Sequence, residues 1–176
     1  MKRLLFVLAF VCLSGASAFA QRFAYVDSEY VLEHIPEYVA AQKQLDALSK
    51  QWQAQVDARL KEVENMYKSY QADLALLTPQ VRRERENAIV EKEKAAKEFQ
   101  REKFGFEGDL YEQRIKLIQP IQERIARAIE AVAESNQLDM ILDKNSEVIL
   151  LYASPRLDKS NEVITRLGYK PGSVVK

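Results

Sequence analysis

From Glu37 to Phe104 the chain contains no glycine and a single proline, Pro79. Nothing in such a run halts a helix except Leu77-Thr78-Pro79, where the residue before proline is pushed out of helical geometry. Residues 36–135 therefore read as two long helices folded into one antiparallel hairpin, with its turn near 78–80. At 1.5 Å per residue each arm would reach about 60 Å, more than the width of a compact domain of this size. Arms of that length leave few residues for a core. They do mechanical or binding work.

The apolar periodicity agrees with a hairpin. On the first arm Leu45, Leu48, Trp52, Val56, Leu60, Val63, Tyr67, Tyr70, Leu74 and Leu77 form a seam. From Leu60 onward its steps alternate between three and four, as in a coiled coil. The repeated four-residue step through Trp52, Val56 and Leu60 is a stutter that locally unwinds the supercoil. Val81, Ala88, Ala95, Phe99, Phe106 and Leu110 answer on the return arm. Folding at Pro79 sets Tyr70 against Ala88, Val63 against Ala95, Trp52 against Phe106 and Leu48 against Leu110.

Three residues of the return arm break helix rules. Gly105 and Gly108 each cost about 1 kcal/mol relative to alanine inside a helix, and Pro120 removes a backbone hydrogen bond. They serve either close packing or a bend. As a hinge they would let the arms accept partners of different size. On helix propensity alone, alanine at both glycines should raise helix stability by about 1–2 kcal/mol, given room for the methyl groups.

The N-terminus has the organisation of a signal peptide over residues 1–20. Met1-Lys2-Arg3 is basic and Leu4–Leu13 is apolar, but it is shorter than the roughly 20 residues of a membrane span. Ala18-Phe19-Ala20 fits a small-x-small cleavage site. An uncleaved anchor is the alternative. Cys12 lies inside the apolar run and is preceded by Val11, so lipoprotein processing is not indicated. Removing Lys2 and Arg3 from 26 basic residues leaves 24 against 26 acidic ones. A slightly acidic chain does not suit nucleic-acid binding. With no cysteine beyond Cys12, an exported chain depends on packing or oligomerisation for stability.

The remaining segments, 21–35 and 136–176, read as a small head. Phe23–Val26 is a strand, and Asp27 or Ser28 can cap a short helix ending near His34. Leu138–Leu142 and Glu147–Ala153 read as strands joined by an Asp143–Ser146 turn. Ser160 can cap a last helix stopped by Gly168. The return helix should run on into the head with Ile125, Ile129 and Val132. The strand Val148, Ile149, Leu150, Leu151 and Tyr152 is apolar on both faces and needs cover on both. One short chain offers little cover, so the head reads as an oligomerisation platform built with sister subunits.

Signals for an enzyme are weak. His34 is the chain's one histidine, and no phosphate-cradling loop occurs. No cofactor or metal is expected. The arm surface carries mixed charge, with favourable i,i+4 pairs such as Glu64–Lys68. Arg82 and Arg83, next to the Thr78-Pro79 tip, make the tip locally basic. That suits a solvated face, or a contact for acidic clients or anionic lipid head groups.

The order of these elements resembles the OmpH/Skp family of periplasmic chaperones. The resemblance is carried by Phe23-Ala24-Tyr25-Val26-Asp27, the charged hairpin, Leu138–Asp143, Val148–Ala153 and Leu157–Val163. It implies an α+β, predominantly helical fold and a jellyfish-like homotrimer, with a β-rich head and three coiled-coil tentacles around a cavity. It implies ATP-independent holding of unfolded outer-membrane proteins in the periplasm. Some members are proposed to bind lipopolysaccharide through a basic cluster on the return helix. The corresponding stretch here, Phe104–Asp109, lacks that cluster, so the site is not carried over. Ser160 stands where the family usually has threonine. A structural or adaptor protein of the cell envelope, docking through its hairpin tip, is the alternative function.

Overall fold

The computed structural model describes residues 22–146 and 150–172. Strand β1 (Phe23–Val26) leads into helix α1 (Ser28–Glu33), followed by α2 (Pro36–Asp73), α3 (Pro79–Phe104), α4 (Asp109–Asn136), strand β2 (Met140–Asp143), a 3-10 turn (Pro155–Leu157) and α5 (Ser160–Arg166). The chain divides into two compact units, 22–31 with 126–172, and 32–125. The expected long helical hairpin and small β-bearing part are both present.

In the first unit β1 and β2 pair in parallel, with Phe23 opposite Met140 and Val26 opposite Asp143. Parallel strands need a long crossover between them, and here the crossover is the entire helical segment. Tyr25 also bridges to Asp158, so β1 lies between β2 and the start of the C-terminal segment. Alternation along β1 turns Ala24 and Val26 inward, where Val132, Val163 and Ile164 are also buried. The expected hairpin between 138–142 and 147–153 is not seen among the described residues. β2 takes β1 as its partner, and Leu150, Leu151 and Tyr152 are not in a strand. Val148 and Ile149 lie outside the described residues, as do 1–21.

In the second unit α2 begins at Pro36, which is favourable at a first helical turn because its missing N–H would be unpaired there anyway. Its 38 residues correspond to about 57 Å. Thr78 is extended ahead of Pro79, and Pro79 opens the return helix. The return arm is two helices rather than one. It stops at Phe104 and restarts at Asp109, whereas α4 continues through Pro120. The interruption expected from glycine and proline is therefore at 105–108.

Gly105 and Gly108 act there by close approach. A Cβ on Gly105 would stand 2.3 Å from the Arg101 carbonyl oxygen, and one on Gly108 would stand 2.7 Å from that of Glu102. The positive φ of this turn belongs to Glu107, at 56°. The stabilisation expected from alanine is thus overturned, because neither site has room for a methyl group.

The seam is shifted from its expected register on α3. Ala96 is buried and Ile89 half-buried, whereas Ala88 and Ala95 are exposed. On α2 Val56 is 1% exposed but Leu60 is 42% exposed. Trp52 meets Phe104, while Phe106, its expected partner, is 95% exposed. An uninterrupted return helix would have carried Phe106 onto the seam; the turn after Phe104 diverts it.

Candidate functional site

The arm face is the candidate surface. Few apolar side chains hold its two helices together, and polar contacts supplement them. Arg85 pairs with Asp73 at 2.7 Å and Lys92 with Glu62 at 2.8 Å. The Arg59 guanidinium lies 4.2 Å from the Phe99 ring centre, within cation–π range. The Tyr70 hydroxyl donates to the Glu86 carboxylate. That bond, with burial, raises the Tyr70 pKa, because ionising the phenol would set two negative charges together.

Small residues leave shallow grooves beside this seam. One of about 440 Å³ is lined by Arg59, Glu62, Met66, Ala88, Lys92 and Ala96, among others. Another, of about 240 Å³, shares Met66 and Ala88 and adds Ser69, Arg85 and Ile89. Such grooves put an apolar floor between ionic walls. They suit many weak contacts with an extended chain more than one tight small ligand, which would be mostly enclosed. No cluster of His, Cys, Asp or Glu suited to a metal occurs among the described residues. No described helix is long and apolar enough to cross a membrane. His34 is buried, at 1% exposure.

At the tip, the Thr78 hydroxyl accepts the Val81 amide at 3.4 Å and caps α3. The Arg82 side chain donates to the Leu77 carbonyl at 3.1 Å. Arg82 thus closes the turn, and Arg85 is engaged with Asp73. Arg83 and Pro79 are exposed. The tip also displays Leu76, 87% exposed, which lies off the apolar seam of Leu74 and Leu77.

In the β-bearing unit, the face of the sheet opposite Ala24 and Val26 carries Phe23 and Met140, 42% and 49% exposed. Leu151 and Tyr152 are 93% and 81% exposed, and Leu150 36%. Exposed apolar side chains of this size mark an interaction site where they gather into one patch.

A polar lock holds this unit. Asp27 caps α1 by accepting the Tyr30 amide at 3.0 Å, and binds Lys144 at 3.0 Å and the Asn145 amide group at 2.6 Å. Ser160 does not cap its helix. Its hydroxyl accepts the Asp27 amide at 2.8 Å and donates to Asp158 at 2.6 Å. Glu162 binds Lys159 at 2.7 Å and Asn136 at 2.5 Å. Only the capping role of Asp27 was legible from local sequence; its partners lie more than a hundred residues away.

Comparison with known proteins places this arrangement. The sequence model of the outer membrane protein (OmpH-like) family matches residues 22–167. Among curated proteins none matches the chain. The fold is similar to a crystal structure of a protein described as an outer membrane chaperone (OmpH-like) from Caulobacter crescentus CB15. The TM-score is 0.65 at 15% sequence identity, over 84% of this chain and 83% of that one. The match spans both strands and all the helices down to Leu167, and on that ground the chain belongs to the OmpH-like family of outer membrane proteins.

Proposed function

We propose that this protein is an ATP-independent holdase of the periplasm, a homotrimer that encloses unfolded outer-membrane proteins between its helical arms. The observation that carries the reading is the arm itself. It is a helical hairpin with a thin seam and shallow half-apolar grooves, more suited to distributed weak contact than to catalysis. Family membership supports it, as does the fold shared with a protein described as an outer membrane chaperone. The uncovered sheet face and the exposed Leu151 and Tyr152 support assembly with sister copies.

The test replaces residues 63–95 with a tight turn and assays suppression of aggregation of an unfolded β-barrel protein. The shortened protein should remain folded and oligomeric yet hold the client poorly. Full holding activity without the distal arms would refute the cavity mechanism. The exposed Leu76 favours a second reading, an adaptor docking through its tip. Leu76→Ser separates the two: a holdase keeps its activity, an adaptor loses its partner.

A further inference from the structure

Lys103 is the least exposed lysine in an ion pair of the arm, with 15% of its side chain accessible. Its ammonium is 5.5 Å from the centre of the Trp52 ring and 5.4 Å from that of Phe99. It binds Glu102 at 2.7 Å and, across the interruption, Asp109. Three helices converge on this one charge: α2 through Trp52, α3 through Phe99 and Glu102, and α4 through its first residue, Asp109. The contacts with Asp109 and Glu102 raise the Lys103 pKa, so the ammonium stays charged.

The interruption beneath it is an ordered turn. Gly105 N–H bonds to Arg101 at 2.8 Å, Gly108 N–H to Gly105 at 3.0 Å, and Glu112 N–H to Gly108 at 3.1 Å. Opposite it α2 runs unbroken. A pair of continuous helices resists bending, since one must stretch as the other shortens. A pair with one helix interrupted can bend at the gap, because the gap opens or closes with little loss of intrahelical bonding. On this geometry 105–108 is where the arm would bend, with α2 as the continuous element opposite.

We propose that Lys103 is the clamp that stiffens this flexure, bridging the gap from α3 to α4 while it is seated on the Trp52 and Phe99 rings. With the clamp closed the arm is held as one straight element. With it open the distal hairpin bends at 105–108. Lys103 is a positioning residue, and its consequence for cavity width rests on the holdase reading above. The clamp itself does not.

The test uses the client-free protein. Spin labels at Gln80→Cys and Lys116→Cys, in a Cys12→Ser background, report the distance across the gap. Lys103→Met and the near-isosteric Asp109→Asn should each at least double the width of the distance distribution, with far-UV circular dichroism unchanged. Lys103→Arg, which retains charge and stacking, should keep it narrow. Trp52, the chain's sole tryptophan, should become at least twofold more quenchable by acrylamide in the first two variants. An unchanged width in Asp109→Asn and Lys103→Met overturns the clamp. So does equal broadening in Lys103→Arg, which would assign the effect to packing alone. Aggregation assays on the same variants then test the holdase separately.

Discussion

Trp52 and Phe104 meet edge to face, with ring centres 6.4 Å apart and planes at 85°. The pair closes the seam one step before the return helix breaks, and leaves Phe106 outside it. Burial therefore ranks seam residues differently from sequence periodicity. Val56→Ala, at a 1% exposed site, should cost about 2 kcal/mol through lost apolar burial. Leu60→Ala, at 42% exposure, should cost less than about 1 kcal/mol. Chemical denaturation of the arm, followed through Trp52 fluorescence, would show whether the two differ.

Gly105→Ala should destabilise the arm, by about 1 kcal/mol or more, although alanine is the better helix former. The added methyl would meet the Arg101 carbonyl at 2.3 Å. A raised thermal midpoint in this variant would contradict the close-approach role.

The β-bearing unit should lose stability in acid. Burial alone would raise the Asp27 pKa, but the Tyr30 amide, Lys144 and Asn145 outweigh it and lower the value from 3.8. Glu162 is lowered from 4.5, first by Lys159 and then by Asn136. A carboxylate with a depressed folded pKa contributes fully above its unfolded value, and that contribution disappears as pH falls through the folded one. Thermal midpoints should therefore be flat above about pH 5 and fall below about pH 4. Asp27→Asn should lower the plateau and flatten the slope. An identical slope in that variant would remove Asp27 from the account.

Ser160→Ala should cost about 1–3 kcal/mol, because the Ser160 hydroxyl, on a 2% exposed residue, is the acceptor of the Asp27 amide, which the change leaves without that partner. Ser160→Thr should retain most of the stability, since it keeps the hydroxyl. Both are measurable by urea titration of the purified protein.

Leu151→Asp should shift sedimentation of the proposed trimer to monomer while leaving helix content unchanged, since Leu151 is 93% exposed within one chain. A charge buried without a partner at an interface is costly. A wild type that sediments as a stable monomer would count against the platform reading, as would a trimeric variant.

Local rules determined much of this chain. The uninterrupted helix former run, the turn before Pro79 and the Asp27 cap are decided within a few residues, where backbone geometry and neighbouring hydrogen bonds dominate. Gly105 and Gly108 announced an irregularity in the same way. Tertiary structure decided what local rules could not. It paired β2 with β1, because a strand's partner is chosen by a shared buried face, here that of Ala24 and Val26. It moved the seam from Ala88 and Ala95 to Ile89 and Ala96, since helix phase depends on where the facing helix lies. It joined Lys103 to Trp52 and Asp109, and Ser160 to Asp27. Such bonds are set by the path of the whole chain through space, which spacing along the sequence does not record.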